Sequence, residues 1–394
     1  MTLLRTTVAA AALVAAMGLA LPAQAGRAYV GTYTADPSDS RSAASSHGEG
    51  IYLLNIDDAT GAPSAPKLVA KMLSPSWITL SADHKFLYAV SEVASYGSDK
   101  HGSVTAFAVE ANGTLKPLNT VDSGGAIPCF ISVHPSGKFV MVANYTGGSY
   151  EIIRLKADGS LGEITDVVKP SGPLSPATAS DTQPGQFAGS SHENSRGHMI
   201  GPDRSGQYVI GDDAGRDQIF VWTLDQASGK LKEVSVSKSL PGSAPRHFVF
   251  SHDNKTMYQL QEQDSRLATY DFAGGKLTAK GPTVFALPKG YQGSNTGSEL
   301  RIDDAGKHLY FGNRTYDGIA TFAIGANGAS LVGNVHTEGN NPRSLTLHPN
   351  GKFIYSLNQG ANNIVTFRIG ADGVPKPTGS YLGMGTPAVM VFLP

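Results

Sequence analysis

One cysteine, Cys129, stands among 394 residues, so no disulfide forms within the chain and no multi-cysteine metal site exists. Charge is also scarce: 16 % of residues are charged and the formal net charge is −1. No basic run resembles a nucleic-acid arm, and no acidic tail suggests a charged partner. After residue 26 the sequence offers nothing near the ~18 uninterrupted apolar residues of a membrane-spanning helix. Long amphipathic helical periodicity is missing too, which excludes an α/β fold. Absent as well are a nucleophile-elbow serine, a His-Glu-x-x-His zinc motif, a Cys-x-x-Cys-His haem attachment and a phosphate-cradling loop ahead of a helix.

The first 25 residues stand apart. They run from Arg5 through an apolar stretch to Ala-Gln-Ala before Gly26, the three-part pattern of a secretory signal cleaved after Ala25. The mature chain is then expected in the periplasm, without membrane insertion. Removing Arg5 takes 31 basic residues to 30 against 32 acidic ones, a formal −2.

Glycine is abundant, at 46 residues, and it punctuates a repeat. Six copies of one hairpin occupy 74–93, 127–146, 196–215, 244–263, 297–316 and 341–360, typified by IPCFISVHPSGKFVMVANYT. Most copies are spaced by about 45 to 53 residues, and one gap is about twenty longer. An apolar strand, a Gly/Asn turn and a more polar strand follow each hairpin. That period is the four-stranded blade of a β-propeller. A seventh blade is expected from RAYVGTYT (27–34) and GIYLLNIDD (50–58) joined by the C-terminal TPAVMVFLP (386–394). Pairing both ends closes the ring and hides two sheet edges. The expectation is an all-β, seven-bladed propeller, one domain over 26–394.

With strands labelled A to D from the channel outward, the A–B and C–D turns are short. The long connections are B–C (32–49, 93–102) and D–A (172–195, 288–297), all on the opposite face. The polar ends of the hairpins converge there. Starts of A supply His198, Arg246, His247, Glu299, Arg301 and Arg343. Ends of B supply Glu92, Asn144, Tyr145, Asp212, Asp213, Glu262, Asn313, Arg314 and Asn358. Any one of these residues could simply tie neighbouring blades. As a set, four arginines and several carboxylates around one channel exceed that need. His134 and His348 fall in A–B turns and read as ordinary turn residues.

VANYTGGS, the Pro-Arg-His triplet at 245–247 and the Asn-Arg pair at 313–314 resemble the lactonase family of seven-bladed propellers over essentially the whole mature chain. That family includes one type of 6-phosphogluconolactonase and the fungal carboxy-muconate lactonizing enzymes. With the secretion signal, the chain looks most like the periplasmic gluconolactonase branch. The resemblance implies site roles for His198, Arg246, Glu262 and Arg314. It also shows a departure, because Arg196 stands where many relatives carry the first histidine of His-x-His.

Lactone hydrolysis needs an activated water and a stabilised oxyanion. Glu262 or His198 would be the general base and the other the acid. Arg246 and Arg314 would face the carbonyl oxygen, with Asn144, Tyr145, Arg196, Glu299 and Arg343 binding substrate. The arginines could equally hold a phosphate or carboxylate. Free aldonolactones, glucono-1,5-lactone above all, suit an envelope location better than phosphorylated sugars. No cofactor is called for, although Asp212, Asp213, Glu262 and Glu299 could hold a divalent ion if they met. A non-catalytic propeller that binds an envelope ligand or protein through loop aromatics Tyr33, Tyr96, Phe187 and Tyr291 is the reading from a different class. Oligomeric state is not legible.

Overall fold

Pro128–Val133 and Phe139–Asn144 pair antiparallel across the Pro-Ser-Gly-Lys turn, and every other copy of the repeat folds the same way. The computed structural model describes residues 26–36, 45–179, 182–187, 189, 192–326 and 328–393. The expected signal segment, 1–25, lies outside the described residues.

The strands form seven antiparallel sheets. In chain order, blades 1 to 6 have inner strands Ile78–Leu80, Pro128–Val133, Gly197–Pro202, Pro245–Phe250, Gly297–Ile302 and Pro342–Leu347. The seventh, closing blade takes its inner strand, Pro387–Leu393, from the C-terminus. Gly26–Thr32, Gly50–Ile56 and Lys67–Lys71 then lead outward from the N-terminal side. Each inner strand touches the inner strands of both neighbouring blades, so the ring is complete. The expected propeller and its closure by both chain ends are what the structure shows. One expected loop differs: residues 93–102 extend the hairpin of blade 1, with Phe86–Tyr96 pairing His101–Val109 as far out as Tyr96 opposite His101.

The core lies between blades rather than within them. Seven apolar clusters each draw on two neighbours; Phe139, Met141 and Tyr150 of blade 2, for example, pack with Ile200, Val209 and Trp222 of blade 3. Burying one such aromatic contributes about 2–3 kcal/mol. Second-strand tyrosines add a hydrogen-bonded seam. Tyr29, Tyr88, Tyr310 and Tyr355 donate to the carbonyls of Gly113, Gly159, Gly373 and Gly61 in the next blade, at 2.8–3.1 Å. Those four glycines have φ of 74–82°, where a Cβ would be strained. On the far face, His134 Nε2 bonds the carbonyl of Gly206 at 3.1 Å and His348 Nε2 meets Asp58 at 3.2 Å, so both bridge neighbouring turns.

Candidate active site

Two register positions, repeated around the ring, build the mouth of the channel. The first is the residue just after the hydrogen-bonded end of each second strand: Tyr33, Glu92, Tyr145, Ala214, Glu262, Arg314 and Gln359. Each donates its backbone N–H to the carbonyl of a residue just before the inner strand of its own blade, at 2.8–3.0 Å. The acceptors are Thr386, Ser74, Ile127, Arg196, Ala244, Thr296 and Asn341. Five of these acceptors, Ser74, Ile127, Ala244, Asn341 and Thr386, precede proline and take positive φ of 36–57°. Proline disfavours helical backbone in the residue before it, and a Cβ disfavours positive φ. This strained corner is held by the hydrogen bond it makes, and it fixes the ring of side chains.

The second position is a β-bulge at the start of the inner strand in six of the seven blades, blade 1 excepted. The register inserts one residue at Cys129, His198, Arg246, Arg343 and Ala388, and in blade 5 it sets Ser298 and Glu299 against the single Gly312. A bulged residue is unpaired and its side chain is re-aimed. Here that delivers Cys129, His198 and Arg343 to a cavity of about 360 Å³. Its remaining lining is Tyr33, Glu92, Tyr145, Glu262, Arg314 and Gln359.

Within the cavity the charges are interlocked. Glu262 meets Arg314 at 2.6 Å and Arg246 at 3.0 Å. Arg343 bonds the Tyr33 hydroxyl at 3.0 Å and approaches Glu92 at 3.8 Å, and the Tyr33 hydroxyl donates to Glu92 at 2.9 Å. Arg314 also donates to the carbonyl of Gly297 at 2.8 Å. Burial pushes the Glu262 carboxyl up, but Arg314 and Arg246 outweigh it and hold the group below the ordinary glutamate value. Burial, reinforced by Arg246, His247, Arg343 and Arg314, drives His198 well below the usual histidine range, so the imidazole is neutral. Its Nδ1 lies 3.9 Å from the Cys129 sulfur, and Tyr145 meets the ring edge-on with centroids 5.6 Å apart. Burial and the nearby Arg343 lower Arg246 to about 9, still charged at neutral pH.

An aromatic and ionic floor lies one step further along the inner strands. Trp77 packs on Phe130 with centroids 4.5 Å apart, and both rings meet His247. Glu299 sits here, bonded to His247 at 3.1 Å and to Arg301 at 3.4 Å.

The structure therefore gathers His198, Glu262, Arg314, Arg343 and Tyr145 in one lining and sends other expected site residues elsewhere. Arg246 is 1 % exposed and stands behind Glu262, donating to the carbonyl of Ser298. Glu299 is in the floor. Arg196 is buried with its guanidinium 5.3 Å from the Tyr145 ring centre, one residue removed from the lining. Asn144 is fully buried and its amide nitrogen donates to the Ser123 carbonyl at 3.0 Å and to Glu151, so that group is spent inside the protein. The four carboxylates considered for a divalent ion do not assemble. Asp213 accepts backbone N–H groups of Arg196 and Gly215 at 2.8 and 3.0 Å, and Asp212 takes Gln259 at 2.9 Å. Among the described residues, the acidic and histidine side chains that come within 4.8 Å as a group are Asp99, His101 and Asp122, away from the cavity. Sequence reasoning passed over Cys129 and Gln359. Their signal was the alignment column: Cys129 stands level with His198, Arg246 and Arg343, and Gln359 with Glu262 and Arg314.

Residues 27–392 match the family described as lactonase, 7-bladed beta-propeller. The chain belongs to the seven-bladed β-propeller lactonases. As a member of that family it is a lactone hydrolase. It is 29 % identical over 326 residues to the 6-phosphogluconolactonase of Bacillus subtilis, covering 82 % of this chain and 84 % of that one. It is 30 % identical over 310 residues to the 6-phosphogluconolactonase of Formosa agariphila, covering 77 % and 83 %. Among solved structures, the periplasmic gluconolactonase of Pseudomonas aeruginosa superimposes with a TM-score of 0.80 at 26 % identity, over 94 % of this lactonase and 99 % of that chain.

Proposed function

We propose that this lactonase hydrolyses glucono-1,5-lactone to gluconate in the periplasm. The balance of charge in the lining carries the choice of substrate. In the lining, Arg314 and Arg343 face Glu262 and Glu92, and each guanidinium already has an acidic partner, Glu262 being shared with the buried Arg246 behind it. Such a cavity suits a neutral polyol ring better than a phosphorylated one, which would need an uncommitted cation. The residues preceding Gly26 support the location, where free rather than phosphorylated sugars are met.

In the chemistry we infer, neutral His198 accepts a proton from water as its oxygen attacks the lactone carbonyl. The negative charge that develops on the carbonyl oxygen is stabilised by Arg314, itself held in place by Glu262. When the ring C–O bond breaks, the proton held by His198 passes to the departing ring oxygen, which becomes the product hydroxyl. Arg246 acts through Glu262 as a positioning residue.

The reading is tested by measuring kcat/KM for glucono-1,5-lactone and for its 6-phosphorylated counterpart, with spontaneous hydrolysis subtracted. A preference for the unphosphorylated lactone is expected, and a preference for the phosphorylated one would overturn the substrate assignment. N-terminal sequencing of the exported protein is expected to begin at Gly26.

A further inference from the structure

Between the outer parts of blades 3 and 4, away from the channel, lies a cleft of about 470 Å³. It exists because the outer strand of blade 4 is interrupted. Lys276–Ala279 pairs with one end of Arg266–Ala273, Val284–Phe285 pairs with the other, and residues 281–283 leave the sheet between them. The volume is within the range of small-molecule sites.

Gln261 lies at the base of this cleft. It occupies the last paired position of its second strand, as Asn144, Asp213, Asn313 and Asn358 do in theirs. In those blades the side chain makes internal hydrogen bonds. Asn144, Asn313 and Asn358 donate to backbone carbonyls of the preceding connection at 2.8–3.1 Å, and Asp213 accepts three backbone N–H groups. Gln261 is fully buried, yet neither its amide oxygen nor its amide nitrogen has a hydrogen-bond partner among the described residues. A buried amide is ordinarily paired, and this one, unpaired at both ends, borders the cleft.

We propose that this cleft is a second binding site for a small polyhydroxylated acid of hexonate size. The Gln261 amide presents one donor and one acceptor side by side, the complement of neighbouring hydroxyls. Leu240, Ala268 and Pro282 give apolar surface for the carbon backbone, and Thr283 adds a hydroxyl to the wall. Lys238, exposed at the edge, supplies the cation that selects an acid over a neutral sugar. The opposite wall is rigid, because Arg266 is paired with Asp264 at 2.7 Å and lies 4.1 Å over the Phe285 ring.

Titration calorimetry of the mature protein with D-gluconate and D-glucose tests this. Arg314→Ala, altered only in the channel, is expected to keep a gluconate site. Gln261→Leu, and Ala279→Trp, which fills the cleft from its exposed edge, are expected to weaken that site by about tenfold or more. Ala279→Trp, on the outer strand and away from the channel, should hydrolyse lactone within about twofold of wild type, since distant sites act independently. Glucose should bind at least about tenfold more weakly than gluconate. Failure of Arg314→Ala to bind gluconate, or wild-type affinity in both cleft variants, would overturn the site, and equal affinity for the two probes would overturn its selectivity for an acid. None of these outcomes depends on which lactone the channel hydrolyses.

Discussion

Arg314 of blade 5 and Glu262 of blade 4 meet at 2.6 Å across a blade boundary, with Arg246 gripping the other carboxylate oxygen from behind. Buried charges of this kind are tolerated only while every partner is present. Glu262→Gln leaves two guanidiniums facing each other without a counter-charge. It is expected to lower stability by about 3 kcal/mol and kcat by about 100-fold or more. Arg314→Ala should lower kcat about 100-fold with a smaller loss of stability, because Arg246 still neutralises Glu262. Denaturant melts and steady-state kinetics on both variants separate the two effects. Equal stability losses would mean that the pair is held by something other than its charges.

The pH profile reports on His198. Burial and the surrounding arginines depress its folded pKa, so the neutral form that accepts a proton persists as pH falls through the ordinary histidine range. The acid limb of kcat/KM is therefore expected below pH ~6.5, the unperturbed histidine value. His198→Asn should lose about 100- to 10,000-fold in kcat. A limb at or above that pH would contradict the assignment of His198 as base.

Cys129 should be chemically quiet. Its thiol is 3 % exposed, and burial pushes its pKa far above the ordinary thiol range, which leaves almost no thiolate at pH 8. Iodoacetamide is expected to leave the native protein unlabelled and to label it once in denaturant. Rapid native labelling, followed by mass spectrometry, would show the cavity to be more open than its geometry indicates.

Glu151 makes stability pH-dependent. Burial raises its carboxyl to about 8, with Ser149, Lys169 and Asn144 opposing. Between the unfolded value near ~4.3 and the folded one the native state holds a proton that the unfolded chain has released, so stability falls as pH rises through that window. Asp212, raised to about 8 by burial, acts in the same direction. Glu151→Gln should flatten the decline of Tm between those limits and leave Tm at low pH nearly unchanged. A slope equal to that of wild type would remove Glu151 from the account.

The hairpin repeat made the propeller legible, because strand period, turn chemistry and copy number are all local properties of the chain. The convergence of polar strand ends was legible for the same reason. What was not read is direction. Asn144 and Tyr145 are consecutive, and successive side chains of a strand point to opposite faces. Tyr145 enters the cavity while Asn144 turns into the protein. The bulges hid the rest: the inserted residue decides whether the first or second position of an inner strand faces the channel, and no repeat spacing records it. Glu299 stands level with Phe130 and His247, one position after the bulge, which places it in the floor and not in the lining. Arg246 falls in the same column as His198 and Arg343, yet its depth behind Glu262 follows from side-chain packing that no alignment of repeats encodes.

The closing blade also sets a timetable for assembly. Tyr33, near the beginning of the described chain, donates its backbone N–H to Thr386, and Gly26–Thr32 finds its inner neighbour in Pro387–Leu393. Tyr33 in turn positions Arg343, so one wall of the cavity waits on a strand made after the six other blades. Earlier blades can stack as they emerge, but a nascent chain has no working pocket until Pro387–Leu393 has been made.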